Sequence, residues 1–320
     1  MPTEIADWND LDAVRNDASG DYVLVNHLDE NTAGYDTHVL NPDEGWTPLP
    51  QPDEISFQGT FDGQGFEIQD LIIDSDDSPV GLFGRNGGTI ENLGVTNVDI
   101  STTNQTVGAL CGINTGQILS SYTTGVVSAG ESESFVGGLS ATNDPGATIE
   151  SCYSLCNTLE ADNEIGGLVG YEFSETGEDG VNRCYSAVET VVGDGEGVGA
   201  FCGRLGTGGK SVEPGYIFDS YVDIELSNLS DAIGREPDVG EDDVEEKQTA
   251  EMQGDSPLTE MEEFDYDNVW ETVSESDGDA TADGYPILRS LDRQKQLEAQ
   301  GIFQELQPPE PPSNLTAELL

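Results

Sequence analysis

One glycine-rich phrase recurs along the chain and limits what it can fold into. Its fullest copies are Val107-Gly108-Ala109-Leu110-Cys111-Gly112, Val136-Gly137-Gly138-Leu139-Ser140, Ile165-Gly166-Gly167-Leu168-Val169-Gly170 and Val198-Gly199-Ala200-Phe201-Cys202-Gly203. Val80-Gly81-Leu82-Phe83-Gly84 is a shortened copy, and Ala232-Ile233-Gly234 a degenerate one. The anchors Leu82, Leu110, Leu139, Leu168 and Phe201 fall 28, 29, 29 and 33 residues apart. A second phrase follows: Ile118 with Tyr122, Ile149 with Tyr153, Val181 with Tyr185, and Ile217 with Tyr221. The first copy, Ile90 to Gly94, lacks the tyrosine. Insertions such as Glu172 to Gly180 and Leu205 to Gly215 fall between the two phrases.

Short β-branched runs broken by Gly, Asn and Asp are strand-and-turn signals. A single unit of this size cannot bury its apolar side chains, but stacked units build one continuous core. Glycine recurs where the backbone must bend and neighbouring coils approach closely. Helical periodicity is almost absent from residues 50 to 235, which rules out a helical repeat. The expected fold is therefore all-β: a parallel β-helix (β-solenoid) of about six coils, with small helical caps at both ends. At ~4.8 Å per coil the rod would be roughly 30 Å long.

The Val-Gly-Gly-Leu-Val-Gly copies, each followed by Cys-Tyr or Ser-Tyr, resemble the GLUG-repeat family of bacterial and archaeal surface proteins. Phe57-Gln58-Gly59-Thr60-Phe61-Asp62-Gly63-Gln64-Gly65-Phe66 is similar to the segment that often precedes such repeats. The resemblance covers about residues 55 to 235 and implies a parallel β-helix. It carries no particular activity.

Charge narrows the setting. The chain has 320 residues, 64 of them Asp or Glu against 10 Lys or Arg, for a formal net charge of -54. Such a chain cannot hold nucleic acid, whose binding runs on clustered Lys and Arg, and an anionic membrane surface would repel it. Self-repulsion of this size destabilises a compact state in dilute buffer, whereas at about 1 M salt the Debye length falls to roughly 3 Å. Disorder is disfavoured because 35% of the residues are apolar or aromatic and fall in ordered repeats. The composition points to multimolar salt, as met by haloarchaea and their viruses. No run of 18 apolar residues is present, so no membrane insertion is expected. No export signal is visible in Met1-Pro2-Thr3-Glu4-Ile5, and five cysteines make a sparse, odd set that argues against a disulfide framework.

The chain divides into residues 1–54, an N-terminal cap of helix, strand and loop; 55–237, the GLUG-like β-helix; 238–304, an acidic C-terminal cap with a short helix; and 305–320, a Pro-rich tail or attachment arm. Thr3 is the expected N-cap of a helix with Ile5, Trp8, Leu11 and Val14 on one stripe, and Tyr22 to Val25 the first strand. A Pro-rich loop is expected from Asn41 to Gln51. Phe264, Tyr266, Val269 and Trp270 form an apolar patch expected to seal the last coil. Tyr285 to Leu288 is a closing strand, and Leu291 to Ala299 a helix stopped by Gly301.

No catalytic, cofactor-binding or metal-binding residue is assigned from these features, and the ligand-binding residues are unknown. His27 and His38 are the only histidines, too few for a histidine triad or a multi-histidine metal site. Cys152 and Cys184 occupy equivalent places in adjacent coils and suit a buried ladder of small residues better than a disulfide. Cys111 and Cys202 are equivalent but three coils apart. Asp62-Gly63, Asp194-Gly195 and Asp283-Gly284 suit ordinary turns better than a calcium loop. Glycosylation-type triplets begin at Asn104, Asn228 and Asn314.

These features lead to the expectation of a non-enzymatic structural and attachment protein of a haloarchaeal virus particle. It would be a tail fibre, spike or baseplate component, without cofactor, contacting host-surface glycans or glycoproteins. A homo-oligomer, a trimer first, bound to other virion proteins, completes that picture. The alternatives are a haloarchaeal cell-surface adhesin and a polysaccharide-acting β-helix enzyme. Whichever holds, lowering the salt to about 0.1 M lets charge repulsion act over ~10 Å and should unfold or aggregate the protein. Circular dichroism during dialysis measures this; a melting temperature unchanged in low salt contradicts the halophilic reading.

Overall fold

A computed structural model describes residues 1–40, 45–50, 56–74, 78–103, 106–130, 134–173, 179–206, 216–227, 229–235 and 241–304. The Pro-rich tail 305–320, Asn104, Asn228, Asn314 and parts of the expected loop and of both insertions lie outside the described residues. The rest forms the expected parallel β-solenoid, with a few short helices. The central coils each run through four short strands, and equivalent strands of successive coils pair in parallel. The coil containing Leu110 shows the course: Thr106–Gly108, a corner at Leu110, Cys111–Asn114, Gln117–Leu119, a second corner, then Tyr122–Ala129.

Four kinds of ladder fill the column. Phe61, Ile90, Ile118, Ile149, Val181 and Ile217 stack in register and are wholly buried. The anchors Leu82, Leu110, Leu139, Leu168 and Phe201 are wholly buried and bonded backbone to backbone, as in Leu139 N–H to Leu168 C=O at 2.9 Å. A third ladder is polar. Asn86 Nδ2 donates to Asn114 Oδ1 at 2.9 Å, Asn114 Nδ2 to Asn143 Oδ1 at 2.8 Å, and Asn143 Nδ2 to Glu172 Oε2 at 2.7 Å. These four side chains are fully buried, and the chain of bonds lets polar groups stay inside because each amide answers the next.

The fourth ladder turns a corner. Asn92, Ser120, Ser151, Arg183 and Asp219 all lie in the left-handed region, with φ between 45° and 53°. The residue after four of these corners is Ser121, Cys152, Cys184 or Ser220. Each of these donates its side-chain hydrogen to the carbonyl two residues earlier, at 2.8 to 3.2 Å. Cys184 Sγ also accepts from Cys152 N at 3.3 Å, and Ser220 Oγ from Cys184 N at 3.2 Å. The cysteines thus replace serine in a repeated corner. All five are free and buried, and register places Cys111 and Cys202 three coils apart through Ser140 and Val169.

The repeat glycines are set by close approach. A Cβ on Gly137 would stand 1.8 Å from the Ser140 carbonyl oxygen, and one on Gly166 1.9 Å from that of Val169. Neither clash can be relieved by a side-chain rotation.

Both ends differ from expectation. Thr3 caps no helix: Thr3–Ile5 is a strand paired in parallel with Tyr22–Leu24, because Ile5 enters the core. The helix is Trp8–Ala13, capped by Asp7, whose carboxylate accepts from Asn9 N and Asp10 N. At the other end, Glu241–Lys247 pairs in parallel with Tyr216–Asp223, so the column runs past residue 237. Residues 248–304 then turn back along its flank. The hairpin of Trp270–Val273 and Gly284–Leu288, and the helix Arg293–Ala299, form a strap. Its far end reaches Gly65, where Asp292 N donates to the carbonyl at 3.1 Å.

Gly166→Ala should cost about 3 kcal/mol, the range of severe overpacking. Gly130→Ala should cost no more than about 0.5 kcal/mol, since its Cβ would meet Thr102 O at an ordinary 3.6 Å. Thermal unfolding of both variants in high salt tests the contrast.

Candidate functional site

The strap is seated on the tyrosines of the second phrase. Tyr122, Tyr153, Tyr185 and Tyr221 stand in register. Tyr153 lies 4.7 Å from Tyr122 and 4.9 Å from Tyr185, ring centre to ring centre, nearly parallel. Trp270 leans on Tyr153 and Tyr185, and Phe264 stacks on Trp270 at 4.4 Å. The patch expected to seal the last coil therefore packs on the column's side, because the flat ring stack offers more apolar area there. The hydroxyls are used as well: Tyr153 donates to Gln296 Oε1 at 2.9 Å, and Tyr185 to the Pro286 carbonyl at 2.7 Å.

The missing tyrosine of the first copy now has a reason. A side chain on Gly94 would lie 2.7 Å from the Tyr122 ring and 2.8 Å from Glu67 Cγ. With glycine there, the Tyr122 hydroxyl donates to Glu67 one rung further on. Glu67 is buried, and Gln69 Nε2 and Thr96 Oγ1 also donate to its carboxylate.

Beside the strap an open trough follows the strands Glu67–Gln69, Gly94–Thr102, Tyr122–Ala129 and Tyr153–Glu160. Its three hollows share Asn157. Asn157 is the extra residue of a bulge, since Cys156 pairs with Gly125 and Thr158 with Val126. A bulge re-aims one side chain out of the pleat, and Asn157 is exposed. Asp70 and Asn97 line the same trough at left-handed corners, φ 60° and 53°, with Asn97 Nδ2 donating to Asp70 Oδ1 at 2.6 Å. Lys295 projects from the strap and pairs with Glu298 at 2.9 Å. Amides, carboxylates and one ammonium suit hydrogen bonding to a hydroxyl-rich ligand.

No histidine or cysteine lines the trough. His27 Nδ1 accepts from Glu67 N at 3.1 Å, and His38 Nε2 lies 3.2 Å from Asn9 Oδ1. Burial pushes the Cys111 thiol up to about 12 and that of Cys156 up to about 11, far from thiolate chemistry near neutral pH. Among the described residues no group of three or more His, Cys, Asp or Glu is placed to hold a metal. Asp62 and Asp283 accept from the backbone N–H groups of Gln64 and Glu275. Asp70, Asn97 and Asn157 were not singled out by sequence reasoning. The bulge at Asn157 leaves one trace in the sequence: Leu159 follows Tyr153 by six residues, where its partner Val127 follows Tyr122 by five.

The fold and trough define a parallel β-solenoid with a lateral strap. No family model matches the chain, so GLUG remains a likeness of motif. Halomucin of Haloquadratum walsbyi is 34% identical over 136 residues, which is 41% of this chain and 2% of that protein. The chain thus spans a small fraction of the relative it matches. A crystal structure from Bacteroides ovatus, presumed to be an immunoglobulin A1 protease, has the same fold: TM-score 0.57, 19% identity, covering 91% of this chain and 93% of that one.

Burial raises the hydroxyl pKa of Tyr122, Tyr153 and Tyr185 well above 10.0, and that of Tyr221 to about 12. Tyrosines whose folded pKa is raised give stability that is complete below the unfolded value near 10 and lost as pH climbs through the folded one. The melting temperature should fall steeply above about pH 10, and Tyr185→Phe should soften that fall. Melting curves against pH are the check, with a step in tyrosinate absorbance at unfolding that shrinks in Tyr185→Phe.

Proposed function

We propose that the chain is a non-enzymatic structural and adhesive module of the haloarchaeal surface, and that its trough contacts surface glycans. The observation carrying this reading is the column: stacked ladders with buried, mutually bonded side chains, beside a trough lined by amides and carboxylates. A rigid column holds weak contacts at fixed spacing, and assembly into a homo-oligomer, a trimer by expectation, multiplies them. The virion role expected from the sequence is a narrower form of the same reading, with tail fibre, spike or baseplate in place of the cell envelope.

Fractionation of high-salt cultures with an antibody to the chain tests the setting. Recovery with the cell envelope is the expected result, and recovery with purified virus particles selects the virion form. Confinement to the cytosol of intact cells overturns both. Retention of the chain on immobilised envelope polysaccharide should drop about tenfold in Asn157→Ala with Asp70→Ala, a loss of about 1.4 kcal/mol. Release of shortened sugars from that polysaccharide would instead mark an enzyme.

A further inference from the structure

The opposite flank carries a different chemistry. Along the strands Phe83–Asn86, Cys111–Asn114, Ser140–Asn143, Val169–Glu172, Cys202–Leu205 and Ile233–Arg235, one outward position is occupied in turn by Arg85, Ile113, Thr142, Tyr171, Arg204 and Arg235. Three of the chain's seven arginines thus share a single ladder on a protein of net charge -54. Arg85 and Arg235 stand five rungs apart, about 24 Å at the strand spacing of a sheet. Among the described residues neither forms an ion pair, whereas Arg204 pairs with Glu164 at 3.6 Å and lies 5.0 Å over the Tyr171 ring.

The centre of the stripe is aromatic. Tyr171 is stacked between Phe135 at 5.3 Å and Phe173 at 4.6 Å. Tyr171 is 6% exposed, and its hydroxyl is a buried polar atom without a hydrogen-bond partner among the described residues. Leaving such a group unmade is costly, so an unpaired hydroxyl in a native face calls for an explanation. The carboxylates facing the stripe are Asp144, which accepts from Thr142 Oγ1 at 2.8 Å, and Glu164.

The geometry points to a docking face for an acidic polypeptide, whose carboxylates meet the arginines at the two ends and whose apolar side chains cover Ile113 and the Phe135–Tyr171–Phe173 stack. Aromatic and arginine side chains with few acids are the composition of an interface core. A polysaccharide would need free polar partners along its whole length, whereas the middle of this stripe holds Ile113, an aromatic stack and a Thr142 hydroxyl already donating to Asp144. A second copy docked face to face would set arginine against arginine. In concentrated salt long-range attraction is screened, while direct arginine–carboxylate contact and apolar burial persist.

The test uses the full chain in about 2 M KCl, where the Debye length is only a few Å. A random peptide library is panned on it, and enriched peptides are synthesised for binding by fluorescence anisotropy. Peptides with acidic residues flanking an apolar centre should be enriched, and Arg85→Gln with Arg235→Gln should weaken them about tenfold or more. Ile113→Asp should weaken them about tenfold while the melting temperature of the free chain in high salt holds, since it sets a carboxylate on the half-buried centre of the face. No enrichment, equal binding by the double variant, binding of polygalacturonate in place of peptides, or a dimer that needs these arginines each overturns the proposal.

Discussion

Successive coils meet backbone to backbone at the glycine corner, and the rest of the column depends on that approach. Beside Gly138 and Gly167 the carbonyl oxygen of the next coil, that of Gly167 or of Ala200, stands 2.2 or 2.0 Å from where a Cβ would sit. That contact sets the direction in which the next strand leaves, and so the register of every ladder above and below it. The Leu/Phe, Ile and Asn stacks follow, since a coil displaced by one residue would turn its apolar set outward.

Charge acts on another scale. The acids lie mostly outside the ladders and make the column soluble and self-repelling, while the interior is insulated by its own pairing. Glu67, Glu172 and Asp223 are the exceptions that show the rule. Each is buried, and each accepts hydrogen bonds from its neighbours: Tyr122, Gln69 and Thr96 for the first, Asn143 for the second, Tyr285 and the Leu226 N–H for the third. Arginine is rationed in the same way. Arg293 answers Glu271, Asp277 and Asp279 within the strap, while Arg85 and Arg235, which form no ion pair among the described residues, mark one outer face.

The strap gives the column two unlike sides. Over the tyrosine ladder it covers the aromatic stack and leaves a polar trough at its margin. On the far side no strap lies over the arginine–aromatic ladder among the described residues. A solenoid without such a strap would present nearly the same surface at each coil, so the strap is what distinguishes one position along the rod from another.

The periodic part of this architecture was legible in the sequence, because each coil meets mainly its copies and a local pattern repeats into a global one. Glycine, leucine and tyrosine spacing therefore named the fold, the Leu/Phe and Tyr ladders and the buried stacking of Cys152 and Cys184, whose serine-like hydrogen bonds only the structure shows. What interrupts the period was not legible. Thr3–Ile5 joins the sheet and Phe264 and Trp270 fold back on Tyr185 through partners far away in the chain, which no local pattern encodes. Asn157 became a candidate binding group through a bulge defined only by its neighbour strand, and the arginines became one stripe only once six coils were laid in register. Repetition is a property of the chain itself, whereas the faces and the exceptions arise only where separated coils come to lie side by side.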